Sequence, residues 1–451
     1  MKLIFRTGLQ LALLSSTISV AARAQEPLTL RQAIQIALKQ NPDVGAAQAG
    51  IDEAKANAGL ARTQYLPQVN FTEDMSRGND PVYVFGTRLR QQRFTQGDFA
   101  LDALNKPESL GNFATRISGG WLLFDSFHAQ KMVQSADSMR KSAASSAEAV
   151  DQKVVFNVVQ AYQEVLYAER QVEIAQHELA TAEALMGSVD DHVRAGLAVE
   201  SDLMSAQVRV AGRKQEQIAA QGNLELARAQ LRLAMGVPDF EVSAIRPIEP
   251  KTFPTVDLEQ AVQGAMKNRR DLGALTEAQS AQAAAERAAR LSVGPRISAY
   301  GNWENDLESP AGQGGSNWVA GVQVGIDVLP FGKRSQVAKE RAARARVDAQ
   351  LSAYQQRVRL EVNKAVIQRR TAGLSLETAR TAIDQAAESL RILKNRYAAG
   401  LATITDLLRA EDAEREAQAN YWRAVYGNTM AYAQQLFATG NLTADAAEEL
   451  Q

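Results

Sequence analysis

Residues 195–206 read AGLAVESDLMSA, and residues 399–410 read AGLATITDLLRA. The glycine, two leucines, the aspartate and three alanines return in the same order and spacing. A glycine that follows a long helical run is suited to end it, because the position just past a helix favours φ > 0. Both glycines follow such runs. None of the 12 prolines lies between Pro107 and Pro238 or after Pro330, and from Ser126 to Met186 there is neither Gly nor Pro. A helix from there to about His192 would be ~100 Å long at ~1.5 Å per residue, against a mean of ~11–12 residues in globular proteins. In the second tract Ala372, Leu376, Ala379, Ile383, Ala386, Leu390, Leu393 and Tyr397 step by alternating fours and threes, a heptad seam ending three residues before Gly400. Past that glycine, Thr403 precedes Asp406 by three, a capping-box spacing with Asp in place of Glu, whereas the first copy has Val199 at the Thr403 position. Each Gly-Leu turn therefore reads as the tip of a long antiparallel helical hairpin.

The duplication extends beyond the tips. LTLRQAIQIALKQNPDVGA (28–46) returns as VDLEQAVQGAMKNRRDLGA (256–274), YLPQVNF (65–71) aligns with GPRISAY (294–300), and WLLFDSFHAQ (121–130) with DVLPFGKRSQ (327–336). The expected organisation is a first repeat over 25–235, a Pro-rich linker over 236–255, a second repeat over 256–437 and a flexible tail over 438–451.

Extended segments interrupt the helices. In NWVAGVQVGIDV (317–328) Trp318, Ala320, Val322, Val324, Ile326 and Val328 share one face, opposite Val319, Gly321, Gln323, Gly325 and Asp327. NFATRISGGWLL (112–123) alternates likewise, with Phe113, Ile117, Trp121 and Leu123 opposite Ala114, Arg116 and Ser118; fainter strands are expected near 68–74 and 296–304. Such alternation over ~9–11 residues suits a membrane barrel strand, and it equally suits a half-buried soluble sheet. Four strands cannot close a membrane barrel, since the smallest have ~8. A membrane reading therefore requires several chains.

The totals exclude several functions. Fifty basic residues face 51 acidic ones, so no net field favours nucleic acid. The absence of cysteine removes disulfides, thiolate metal sites, cysteine nucleophiles and a lipidated N-terminal cysteine. His128, His177 and His192 are scattered without ligand spacing, GQGGS (312–316) lacks the lysine of a phosphate loop, and no catalytic constellation stands out. No enzyme activity, metal or cofactor is expected. Lys2 and Arg6, the apolar run 9–21 and ARA at 22–24 read as a secretory signal peptide over 1–24. An exported chain without a later helical span crosses a membrane only as β-structure.

The signal peptide, the duplicated helix–strand–strand–helix plan, YLP (65–67) before a strand, LFD (123–125) at a strand exit and the two Gly-Leu tips together resemble the outer-membrane efflux channel family, the TolC-like proteins. The resemblance spans about Leu28 to Phe437. It implies a mainly α fold with a membrane β portion: a homotrimer whose chains each give four strands to a twelve-stranded β-barrel in outer-membrane lipid. Long antiparallel α-helical hairpins would form a periplasmic α-barrel girdled by a mixed belt. It further implies docking onto a periplasmic adaptor (membrane fusion) protein and an inner-membrane transporter, as the exit duct of a tripartite efflux pump for small molecules such as drugs or metals. A type I protein secretion channel shares that architecture, and a soluble periplasmic coiled-coil scaffold is the alternative of another class.

Carried over residue by residue, Ala195, Gly196, Leu197, Ala399, Gly400 and Leu401 match the family's adaptor-docking tips, where Val often stands in place of Ala195 and Ala399. Asp406 matches an acidic pore-lining position. Arg409 stands where a second acidic residue is common, and Ala402 replaces an arginine that assists closure. Tyr397 and Asp202 match positions that hydrogen-bond across hairpins in the closed state. Asp202 and Asp406 also occupy first helical turns, where a carboxylate favours the helix dipole by ~0.3–1 kcal/mol without any gating role.

Overall fold

A computed structural model describes residues 27–242, 244–247 and 249–450; the signal-peptide segment 1–24 lies outside them. The chain runs α1 (Leu30–Gln40), α2 (Pro42–Thr63), β1 (Gln68–Gly78), α3 (Pro81–Arg90), a 3-10 turn (Gln96–Phe99), α4 (Leu101–Asn105) and β2 (Leu110–Phe124). It continues through α5 (His128–Arg194), α6 (Glu200–Met235), α7 (Leu258–Asn268), α8 (Arg270–Leu291), β3 (Arg296–Leu307), β4 (Gly314–Gly325), α9 (Phe331–Ala398) and α10 (Ile404–Ala438). The repeat is visible in the lengths. α1 and α7 have 11 residues each, α2 and α8 have 22 each, α5 and α9 have 67 and 68, and α6 and α10 have 36 and 35. Local signals set the boundaries. Thr29 and Gln32 close a capping box at α1, and Asn41 caps α2, whose first residue is Pro42.

The four strands form one antiparallel sheet in the order β1-β2-β3-β4. Among the described residues β1 and β4 have no partner on their outer edges. The register brings Phe71, Ile117, Trp303 and Trp318 into one row across all four strands. That face is apolar and exposed, with Trp318 79% and Phe71 69% accessible. The opposite face carries Asp74, Ala114 and Asp306 in one row and Thr72, Arg116, Glu304 and Asn317 in the next. The alternation expected for 112–123 and 317–328 is therefore present, although β4 stops at Gly325 and leaves Ile326 and Val328 in the connection to α9. Between β1 and β2 the sequence reading had only a connection; α3, the 3-10 turn and α4 occupy it. No helix among the described residues is long and apolar enough to cross a membrane.

The hydrophobic core is a belt at mid-height of the long helices. It gathers α1, the stretch Val154–Ala168 of α5, Ala227, Leu231 and Met235 of α6, Val242 and Ile245 of the linker, and Tyr426, Tyr432 and Ala433 of α10. Tyr162, fully buried, donates its hydroxyl hydrogen within reach of Leu28 O (2.9 Å) and Arg246 O (2.8 Å), tying the linker to α5. The segment 438–451, expected as a flexible tail, is instead packed as far as it is described: Leu442, Ala447 and Leu450 are fully buried in this belt. Each of the two buried leucines contributes ~1.5–3 kcal/mol to holding the segment there.

Below the belt α5–α6 and α9–α10 descend as two hairpins, with α10 lying against α5. Their seams are thin. All eight heptad residues from Ala372 to Tyr397 are half-buried, and no other residue between 374 and 398 is. On the other hairpin Ala175, Ala182 and Val189 of α5 and Ala206, Arg213, Ala220 and Ala227 of α6 are buried at steps of seven.

Candidate functional site: the hairpin tips and the clasp above them

Both tips close in the same way. Gly196 and Gly400 have φ of 74° and 71°. At the first, Leu197 N–H donates to His192 O at 2.8 Å and Gly196 N–H to Val193 O at 3.0 Å. At the second, Leu401 N–H donates to Arg396 O at 2.8 Å and Gly400 N–H to Tyr397 O at 2.9 Å. These paired bonds are the Schellman closure, which satisfies carbonyls left over at a helix end. A Cβ built on either glycine meets nothing within 4 Å. Glycine is thus favoured here by conformation, and the space around it is open. Leu197 and Leu401 stand 78% and 68% exposed beside it.

The helices that leave the tips start differently. Thr403 caps α10: Asp406 N–H donates to Thr403 Oγ1 at 3.2 Å, and Thr403 N–H and Oγ1–H reach Asp406 Oδ2 at 3.2 and 2.7 Å. Hydrogen bonds from Thr403, helped by the charges of Arg409 and Arg396, hold the Asp406 carboxyl below the usual carboxylate range. α6 starts at Val199 with no side-chain cap. Partial burial, and then the nearby Asp202 carboxylate, push the Tyr397 phenol up. Tyr397 of α9 thus feels the charge of Asp202 of α6 across the two hairpins. Close to the first tip, Asp190 lies 2.6 Å from Arg194.

A charged clasp above the tips escaped the sequence reading. Arg209 of α6 reaches Asp412 of α10 with both terminal nitrogens, at 3.4 and 3.2 Å, and Glu411 at 3.2 Å. Arg213, one turn on, reaches Asp412 at 2.6 Å and Glu216 at 2.7 Å, with Nε 3.8 Å from Glu178 of α5. Arg213, Glu178 and Glu411 are buried. Burial pushes the Glu178 and Glu411 carboxyls up, offset in part by Arg213 and Arg209 respectively. The signal was present: Arg213 occupies the heptad position between Ala206 and Ala220, where an apolar residue is the rule. Among the described residues no group of His, Cys, Asp or Glu has the makings of a metal site.

The sequence profile described as "Outer membrane efflux protein" matches residues 33–237 and 261–441, nearly all of both repeats. The chain belongs to the outer membrane efflux protein family. It is similar to Protein CyaE of Bordetella pertussis, 25% identical over 392 residues covering 86% of this chain and 78% of that one. It is also similar to outer membrane efflux protein BepC of Brucella suis biovar 1, 24% identical over 443 residues covering 96% and 90%. The crystal structure of outer membrane protein VceC from Vibrio cholerae superposes with a TM-score of 0.76 at 17% identity, covering 91% of this chain and 96% of that one. The fold is also that of the outer-membrane channel OprN, which superposes with a TM-score of 0.77 at 17% identity, covering 92% of this chain and 90% of that one. This outer membrane efflux protein is an outer-membrane exit channel with a periplasmic extension, and its family and fold are those of channels rather than of enzymes.

Proposed function

We propose that three copies of this chain close one twelve-stranded barrel and one tunnel, and that the six Gly-Leu tips are the surface on which a periplasmic adaptor joins the channel to an inner-membrane transporter. One observation carries the reading. Each chain offers a four-stranded sheet with two open edges and an exposed apolar face crossed by the Phe71–Ile117–Trp303–Trp318 row. Open edges invite pairing with another strand, and a barrel exterior in lipid is apolar with aromatic residues near its rims. The cargo is small molecules, accepted from the partner pump that supplies the energy.

At the lower end, Ala195-Gly196-Leu197 and Ala399-Gly400-Leu401 form the docking tips, Asp406 lines the narrowest ring with Arg409 partly neutralising it, and Tyr397 with Asp202 holds the hairpins together. Three carboxylates converging on an axis favour cations. Mass measurement of the detergent-extracted protein tests the assembly: a trimer is expected, and a monodisperse monomer that is soluble without detergent overturns it.

A further inference from the structure

The 31-residue connection between β1 and β2 is far longer than a hairpin needs, and its fold has a place to sit. Its α3 ends on the polar face of the sheet, opposite the tryptophan row. Gln91, 1% exposed, donates to Gly111 O at 3.0 Å and Asn112 Oδ1 at 2.9 Å; Asn112 in turn donates to Asp306 Oδ1 at 2.7 Å. Gln92, at φ 56°, donates to Ser316 O at 3.2 Å, and Asn317 Nδ2 donates to Arg90 O at 3.0 Å. Arg93 pairs with Glu308, and Arg90 lies 3.8 Å from Glu304. The connection that begins at β1 is therefore latched to β4, across the whole width of the sheet. Gly315 is the seat of the latch. A Cβ there would lie 2.4 Å from Gln92 Cγ and 3.0 Å from Arg90 O.

We propose that this insertion is a size-selective lid inside the outer mouth of the barrel, completed by the insertions of the two other copies. The inference rests on the trimeric reading above. Twelve strands ~4.8 Å apart and tilted ~40° leave about 24 Å between opposite backbones, and three helices of ~10 Å diameter nearly fill that section. Each insertion is a folded unit, with Phe85, Phe94 and Phe99 in edge contacts at 4.9 and 5.1 Å and an Arg88–Asp98 ion pair. Yet it leaves Val82, Leu89, Phe99 and Leu101 exposed. The occupant of that apolar side is the neighbouring copy. The latch sits on β4, the open edge where the next chain's β1, and so the root of its insertion, joins.

The chain has no cysteine, so one introduced thiol reports access. Ser118→Cys places it on the lumenal face below the lid, in register with Asn70 and Asn302. On intact cells, a polymer-linked maleimide added from outside should label it about tenfold more slowly than a small maleimide, since pore width sets access. Replacing 82–106 by a short Gly-Ser turn, or introducing Gly315→Leu to unseat Gln92, should bring the two rates together. Equal labelling by both reagents with the insertion intact overturns the lid. So does a persistent difference in both variants. The native mass of the same Ser118→Cys sample reports the assembly separately: a monomer sinks the trimer, while a trimer labelled equally sinks the lid alone.

Discussion

Arg213→Ala tests whether the buried clasp holds α6 against α5 and α10. The guanidinium is 7% exposed and faces Glu178, 9% exposed, as well as Asp412 and Glu216, which are about half exposed. Breaking a fully buried pair costs ~3–5 kcal/mol because a charge is stranded. Exposed partners count for only ~0.2–1 kcal/mol each after solvent screening. Glu178 can also take up a proton, which limits the penalty. The balance is about 2 kcal/mol, or ~30-fold in the population of locally opened hairpin at ~1.4 kcal/mol per tenfold. Hydrogen exchange on the purified channel should therefore speed up ~30-fold in the amides of α6 and α10 flanking the clasp. The belt segment Val154–Ala168 should be unaffected. Asp412→Ala, removing a half-exposed partner, should cost under ~1 kcal/mol. Arg213→Met with Glu178→Gln should recover most of the loss, because no charge is then stranded. Unchanged exchange in Arg213→Ala, or Asp412→Ala as damaging as Arg213→Ala, would refute the reasoning.

The same clasp gives a pH dependence of definite sign. Glu178 and Glu411 have raised folded values, so their contribution is fully present below the unfolded carboxylate value of ~4.3 and is lost as pH rises through the folded values; protection of the lower hairpins should increase as pH falls from neutral toward that unfolded value, and a decrease would contradict the assignment. At the tip, Gly400→Asn should keep export, since Asn tolerates the αL position and the surrounding space is open. Gly400→Glu should abolish export at unchanged trimer abundance, and persistent export would show that docking does not use that tip. Asp406→Asn keeps an oxygen to accept from Thr403 but loses the charge, so cation preference in a planar bilayer should weaken, while Arg409→Ala should strengthen it. Tyr397→Phe should raise single-channel conductance, more so with Asp202→Ala added, and unchanged behaviour in all these variants would leave the residues as helix-end stabilisers alone.

What could be read from the sequence was what local physics specifies. The hairpins were legible because the absence of Pro and Gly, a period of seven and a φ > 0 glycine are all short-range features, and the half-buried residues from Ala372 to Tyr397 fall on the expected seam. β2 and β4 were clear because their faces differ sharply. β1 and β3 were fainter, since Glu73 and Asn305 interrupt their apolar faces. α3 and α4 were invisible for the opposite reason. The end of α3 is held by partners more than two hundred residues away, as Gln92 is by Ser316, and α4 packs on α3 and the 3-10 turn. The tail was misread because its alanines and carboxylates look solvated, and only the belt explains why Leu442 and Leu450 are buried.

The tip shows why a site is harder to read than a fold. Asp406 was expected to be either a helix cap or a pore residue, and its Oδ2 does cap Thr403. That bond does not compete with a place on the channel axis. A carboxylate fixed by its own helix cap keeps one rotamer, and the same bonds keep it ionised. Asp202 lacks this support, because Val199 offers no side-chain cap. The duplicated turn is thus symmetric in its glycine closure and asymmetric in its charge. On α10 the aspartate is locked to Thr403, and on α6 it has no cap partner at Val199. On the gating proposed above, that difference fits the two acids to different tasks: the one fixed by its cap to the opening, and the uncapped one to the neighbouring hairpin.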